Sequence, residues 1–230
     1  DIIALFVDLY TRLGAEVTLI ERDIVGGAAH LLDCIPSKAM IATGGAMNDM
    51  RRASGMGLVH VEAQLDFEAL RARISAIENR LEGSVTGMLK SQGVNLIQGT
   101  GHLVDAHHVE VTEADGTTQV IEADTVVLST GSRPRIPDWA HIDGHRVLTT
   151  RDAYPPPELP SHLIVVGSGV TGVEFVHMFS AFGSAVTLIV SRQQVLPQKD
   201  PEVAAVLEDD FLGRGVRLFK GARAEGMDLT

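Results

Sequence analysis

Residues 163–172 read Leu163-Ile164-Val165-Val166-Gly167-Ser168-Gly169-Val170-Thr171-Gly172, and residues 183–189 read Gly183-Ser184-Ala185-Val186-Thr187-Leu188-Ile189. The first four residues form a short apolar run of the kind that makes a buried strand. The next six fit Gly-x-Gly-x-x-Gly. Residues 173–182 carry helix-spaced apolar residues, and Gly183 closes the helix ahead of a second apolar strand. Strand, glycine loop, helix and strand in that order make a dinucleotide-binding βαβ unit. In such a unit Gly167 permits the turn, Gly169 lets the backbone approach a pyrophosphate, and Gly172 allows close packing of helix on strand. The helix N-terminus then offers its amides to the phosphates.

The same pattern occurs 169 positions earlier. Phe6-Val7, Gly14 and Val17-Thr18-Leu19-Ile20 match Phe175-Val176, Gly183 and Val186-Thr187-Leu188-Ile189. Two copies of a helix–glycine–strand segment predict two dinucleotide-binding units. Counting back by the same offset sets Gly172 against Ile3. The expectation is a first unit without its leading strand and glycine loop, and a second unit still continuing at Thr230, so that both are truncated.

Between the copies, Asp66 reads as the N-cap of a helix with apolar positions Phe67, Leu70, Ile74, Ile77, Leu81, Val85 and Met88. Val94 to Gln98 reads as a strand. Residues His102 to Ile121 alternate and turn at Asp105-Ala106-His107 and Asp115-Gly116, a small antiparallel meander. Thr125 to Ser129 reads as a further buried strand, and Pro155-Pro156-Pro157 as a linker. Asp200-Pro201 opens a helix to about Arg214, followed by a strand at Val216 to Phe219. The fold expected is α/β: two Rossmann-like units, the first (1–150) carrying an inserted helix and β-meander, the second spanning 151–230.

The residue ending a unit's second strand reads the adenosine ribose. In the first unit this is Glu21, which can accept from a 2′-hydroxyl and repels a 2′-phosphate. In the second it is Val190, followed by Ser191-Arg192, a hydroxyl and a guanidinium suited to a 2′-phosphate. NADPH is therefore expected there, with NADH tolerated.

The only cysteine lies in Gly26-Gly27-Ala28-Ala29-His30-Leu31-Leu32-Asp33-Cys34-Ile35-Pro36-Ser37-Lys38. Pro36 suits the first turn of a helix, which predicts Cys34 just ahead of a positive helix N-terminus that favours thiolate. The segment resembles the active-site stretch of the flavoprotein disulfide reductases, the family of dihydrolipoyl dehydrogenase and glutathione reductase. Cys34-Ile35-Pro36-Ser37-Lys38 matches, but the position of that family's first cysteine holds Ala29. Two sulfurs are needed for a disulfide, so its dithiol chemistry is closed to this chain at that site. With Gly-Gly-Ala-Ala in place, the segment is similar to actinobacterial lipoamide-dehydrogenase-like NAD(P)H–quinone reductases.

The resemblance implies FAD on the first unit and NAD(P)H on the second, with hydride passing from nicotinamide through flavin to a quinone-type small molecule. It implies that Gly26 and Gly27 line the flavin pyrophosphate, that Gly101 and His102 lie near the adenine, and that Thr130-Gly131-Ser132 turns beside FAD. It further implies a buried pair of Lys38 and Glu174 near flavin N5, with Cys34 on the flavin side. A homodimeric parent protein follows from the same likeness. The alternatives are a soluble transhydrogenase or dihydrolipoyl dehydrogenase-like enzyme, and a nucleotide-binding module without turnover.

Composition narrows the classes further. A net charge of −11 without a basic cluster argues against nucleic acid. No apolar run is long enough to span a bilayer, and a lone cysteine suits a reducing cytoplasm. Nine histidines without ligand spacing argue against a metal site. Glu208-Asp209-Asp210 reads as a solvated helix face, and His107-His108 as part of a hairpin turn.

Overall fold

The computed structural model describes residues 2–60 and 62–228. In chain order its elements are α1 (Ile2–Arg12), β1 (Thr18–Glu21), a π-helical turn (Ala29–Cys34), α2 (Ile35–Arg52), a short 3-10 turn (Ala53–Met56) and α3 (Phe67–Ser91). There follow β2 (Asn95–Leu103), β3 (His108–Glu113), β4 (Thr118–Glu122), β5 (His162–Val166), α4 (Val170–Phe182), β6 (Ala185–Val190), α5 (Pro201–Gly213) and β7 (Arg217–Lys220). The chain is a mixed α/β fold built on parallel and antiparallel strand pairs. Packing gives two compact units, Asp1–Ile35 with Arg73–Arg133, and Pro36–Ala72 with Pro134–Thr230.

The first unit holds the sheet β1-β2-β3-β4. β1 pairs parallel with the first half of β2, Thr18 opposite Asn95 through Glu21 opposite Gln98. The second half of β2 pairs antiparallel with β3, and β3 with β4, forming the meander read from the alternation. Val7 of α1, Val25, Leu89 of α3 and Val94 form a buried cluster, to which Val17, Leu19, Val85 and Leu96 add. The Asp66 carboxylate accepts from the Ala69 N–H at 2.9 Å, which caps α3 where the sequence placed its start.

The stretch Thr125 to Ser129 is not a strand. Val127 and Leu128 are 62% and 68% exposed, and no strand among the described residues pairs with them. An apolar β-prone run becomes a buried strand only where a neighbour completes its hydrogen-bond ladder.

The second unit holds the all-parallel sheet β5-β6-β7, with Leu163 opposite Val186 and Leu188 opposite Leu218. α4 crosses from β5 to β6 and α5 from β6 to β7, two successive βαβ turns. α4 is buried nearly all round, at Val173, Phe175, Val176, Met178, Phe179, Ala181 and Phe182. One reason is α2, which approaches so closely that a Cβ on Gly44 would sit 3.1 Å from the Ala181 Cβ. Another is Tyr154, whose ring stacks on Phe175 at 4.7 Å. The proline run is tied down by Arg71, which donates to the carbonyls of Pro156 and Pro157 at 2.6 and 2.7 Å. The Asp200 carboxylate caps α5 through the Glu202 and Val203 amides, with Pro201 in the first turn. Among the described residues no helix is long and apolar enough to cross a membrane.

Candidate functional site

The glycine loop of the second unit runs from the end of β5 into α4. Gly167 has φ +114°, a conformation that side chains rarely adopt, and its N–H closes onto the Ile189 carbonyl at 3.0 Å. A Cβ on Gly172 would lie 2.0 Å from the Gly167 carbonyl oxygen, so only glycine allows the loop to fold onto its own helix. Gly169, the N-cap of α4, has extended backbone at φ −69° and open space where a Cβ would go. One glycine thus makes the turn, one makes the packing, and the middle one leaves room in front of the first amides of α4. Those amides have no partner within the helix, which suits them to an anion.

At the far end of β6, Val190 is buried while Ser191 and Arg192 are exposed. Arg192, Gln193, Gln194, Pro197 and Gln198 line an open cavity of about 370 Å³. The loop between β6 and α5 is anchored from three directions. Leu196 N–H donates to the Ser168 carbonyl at 2.7 Å, Gly221 N–H donates to the Arg192 carbonyl at 2.9 Å, and Val195 N–H donates to Glu208 Oε1 at 2.9 Å. Glu208 is therefore not on a solvated face. It is 7% exposed, and its other oxygen accepts from Lys220 Nζ at 2.7 Å. The spacing Ala204, Glu208, Phe211 (i, i+4, i+7) was the signal in the sequence, since it sets Glu208 on the buried stripe of α5.

Lys38 on α2 meets Glu174 on α4 at 2.6 Å, although 136 residues separate them in sequence. The Lys38 ammonium also donates to Ser37 Oγ at 3.3 Å. The pair is not buried: the lysine side chain is 60% exposed and the glutamate 18%. A lysine must reach solvent-facing space to touch a ligand, and this one does. An ion pair so exposed contributes about 0–1 kcal/mol to stability, so it is not there to hold the fold.

In the first unit, Glu21 ends β1, the residue partly buried and its carboxylate accepting from the Asp23 N–H at 2.8 Å. That places an acceptor at the carboxyl end of a parallel strand, where a ribose hydroxyl binds in such folds. Gly26 and Gly27 both have positive φ, +113° and +85°. A Cβ on Gly26 would meet the Leu31 side chain at 2.9 Å, so its glycine is demanded by the turn and by Leu31. Gly101 and His102 lie exposed on β2, opposite Val111 and Glu110. Thr130, Gly131 and Ser132 lie exposed in an irregular segment, Gly131 at φ +67°.

Cys34 is exposed at the end of the π-helical turn, directly followed by α2. It does not precede a helix N-terminus as expected from Pro36. The helical run begins at residue 28, six residues upstream, and continues through Cys34 to Arg52. Pro36 explains the π-turn. Without an N–H it cannot bond the carbonyl four residues back, and its ring crowds that carbonyl. The helix widens instead, Ile35 N–H reaching the His30 carbonyl five residues back. Within the turn, one carboxylate oxygen of Asp33 is buried without a hydrogen-bond partner.

At the meander, Asp105 accepts from the backbone of His107 and His108 and from His108 Nδ1 at 2.9 Å. These bonds, that from the His107 backbone foremost, hold its carboxyl below the usual range, and Asp105 in turn raises the His108 imidazole. No group of three or more metal-ligating side chains occurs among the described residues.

A parallel βαβ unit with a self-packed glycine loop, joined to a second helix–strand echo ending in a carboxylate, defines a Rossmann-like dinucleotide-binding protein. Comparison with known proteins makes this specific. The model of the family "pyridine nucleotide-disulphide oxidoreductase" matches residues 5–228, and the chain belongs to that family. It is 44% identical over 224 residues to the NAD(P)H dehydrogenase (quinone) of Mycobacterium tuberculosis, covering 94% of this chain and 45% of that protein. It is 31% identical over 208 residues to the dihydrolipoyl dehydrogenase of Zymomonas mobilis, covering 90% of this chain and 45% of the relative.

Among solved structures, LpdA of Mycobacterium tuberculosis superposes with a TM-score of 0.89 at 42% identity, over 99% of this chain and 50% of that one. The flavoprotein disulfide reductase RclA of Escherichia coli shares the fold at 23% identity and a TM-score of 0.83. The chain spans about half the length of the curated relatives it matches.

Proposed function

We propose that the protein is a FAD-dependent NAD(P)H oxidoreductase that passes electrons to a quinone-type acceptor without a dithiol relay. The observation that carries this is the active-site segment: Cys34 is the only cysteine, and Ala29 stands where a disulfide partner would be needed. The 44% identity to a protein named NAD(P)H dehydrogenase (quinone) supports the same acceptor class.

The second unit fits a nicotinamide dinucleotide, because Gly172 closes the loop and Gly169 leaves space before α4. The first unit fits FAD in its Glu21 acceptor and its Gly26-Gly27 turn. Residues 1–150 are assigned to FAD and 151–230 to NAD(P)H, with Gly101, His102, Thr130, Gly131 and Ser132 on the FAD side. When bound, FAD supplies the two-electron chemistry between nicotinamide and acceptor. The chain's own work is positional and electrostatic. The α4 amides and Gly169 seat the dinucleotide pyrophosphate, and Ser191 and Arg192 take its adenosine 2′-phosphate. Glu174 holds the Lys38 ammonium at 2.6 Å, and its positive charge would stabilise the negative charge of a reduced flavin. Cys34 would lie on the flavin side and carry no electrons.

For the protein a homodimer and a cytoplasmic setting are proposed. The test is steady-state turnover of the full-length protein with NADPH or NADH and a benzoquinone or naphthoquinone. Quinone reduction that outpaces both lipoamide reduction and hydride exchange with an NAD analogue is expected. Robust lipoamide turnover overturns the reading.

A further inference from the structure

The geometry points to Glu208 as the positioning residue that shapes the adenosine end of the nicotinamide dinucleotide site and sets its preference for a 2′-phosphate. This rests on the proposed reading of Ser191 and Arg192 as the 2′-phosphate contacts. The cavity that would take that phosphate is walled entirely by the β6–α5 loop, at Arg192, Gln193, Gln194, Pro197 and Gln198. A loop holds a binding geometry only if its backbone is held, and one of the three anchors here comes from a buried side chain. Val195 is fully buried, and its N–H has the Glu208 carboxylate as acceptor at 2.9 Å.

The next residue, Leu196, has φ +48°, a conformation that costs a branched apolar residue energy and persists only where its neighbours enforce it. Leu196 N–H bonds the Ser168 carbonyl of the glycine loop at 2.7 Å. Glu208 thus anchors the residue beside the strained one, and the strained one joins the phosphate cavity to the glycine loop. Lys220 holds the carboxylate from the other side at 2.7 Å, at the end of β7 next to Gly221, whose N–H bonds the Arg192 carbonyl at 2.9 Å. One buried carboxylate therefore links α5, β7 and the Arg192 loop. Buried charges are costly unless their hydrogen-bonding capacity is used, and here both oxygens are engaged.

The inference is tested with two nucleotides that cannot reduce flavin, 2′,5′-ADP and 5′-ADP, titrated calorimetrically against the full-length protein. In the unaltered protein 2′,5′-ADP binds tighter than 5′-ADP. Arg192→Ala abolishes that preference. Glu208→Ala weakens 2′,5′-ADP by about tenfold, the scale of losing a buried hydrogen bond that holds a binding group. It changes 5′-ADP by less than about threefold, because the glycine loop keeps its own closure through Gly167 and Gly172. Glu208→Gln keeps an acceptor for Val195 and restores most of the preference. Glu208→Asp, the milder change should the alanine variant not fold, withdraws the oxygen from Val195 and loses part of it.

Equal weakening of both nucleotides, or no change in the ratio for Glu208→Ala and Glu208→Asp, overturns the role of Glu208 while the Arg192 effect stands. No 2′-phosphate preference in the unaltered protein, or one indifferent to Arg192→Ala, overturns the NADPH reading and this inference with it.

Discussion

Gly172→Ala adds one methyl group at the tightest point of the nucleotide loop. Its Cβ would start 2.0 Å from the Gly167 carbonyl oxygen and 2.9 Å from the Gly167 carbonyl carbon. Ordinary contact begins at about 3.4 Å, so the loop has to move by about 1.4 Å, and what must yield is backbone rather than a flexible side chain. Overpacking of this kind costs about 1–3 kcal/mol. In a domain of this size each kcal/mol lowers the melting temperature by about 2–4 °C, which gives a loss of about 2–12 °C. The same movement displaces the amides before α4, and pyrophosphate affinity falls with stability.

Gly169→Ala is the control. Its backbone is ordinary and nothing lies within 4 Å of the added carbon, so the fold keeps its melting temperature within about 2 °C while nucleotide affinity drops about tenfold or more. Thermal melts and 5′-ADP titrations of both variants separate the roles. Should Gly172→Ala melt and bind as the parent does, or Gly169→Ala bind 5′-ADP unimpaired, the assignment of the two glycines is wrong.

Two further outcomes follow from the same geometry. Lys38→Met leaves the melting temperature unchanged within about 2 °C, since the lysine is largely exposed, but slows flavin reduction by NADPH about tenfold or more in stopped-flow absorbance. An unchanged reduction rate would remove Lys38 from the redox site. His177 is held below the usual imidazole value, first by burial and then by Arg214, whose guanidinium lies 3.1 Å from Nδ1. The folded form therefore binds fewer protons than the unfolded form, and thermal stability falls as pH drops from about 7 to about 5. His177→Gln flattens that slope; an equally steep slope in the variant would place the titrating group elsewhere.

Much of the fold was legible where its residues have few alternatives. Gly172 leaves no room for a Cβ, Asp66 and Asp200 cap helices at the positions their chemistry favours, and the alternation from His102 to Ile121 leaves little but a meander. The readings that failed share a cause, which is that a local pattern does not report its surroundings. Thr125 to Ser129 has strand composition, but pairing is a property of the neighbouring strand. Pro36 is acceptable in a first helical turn and also after a π-turn, and only the backbone upstream decides. Glu208 looked solvated because carboxylates usually are, while its burial rests on a lysine and a loop amide that fold back onto it. Lys38 and Glu174 came together through family likeness, since no spacing rule reaches across 136 residues.

The central claim is that electrons leave without passing through sulfur, and an anaerobic reductive titration of the full-length holoprotein tests it most directly. FAD alone takes up two electrons, whereas FAD with a redox-active disulfide takes up four. With Cys34 as the only thiol of the segment and Ala29 opposite it in the motif, uptake ends at two electrons per flavin. An endpoint of four, with a thiol pair appearing on reduction, would contradict the account.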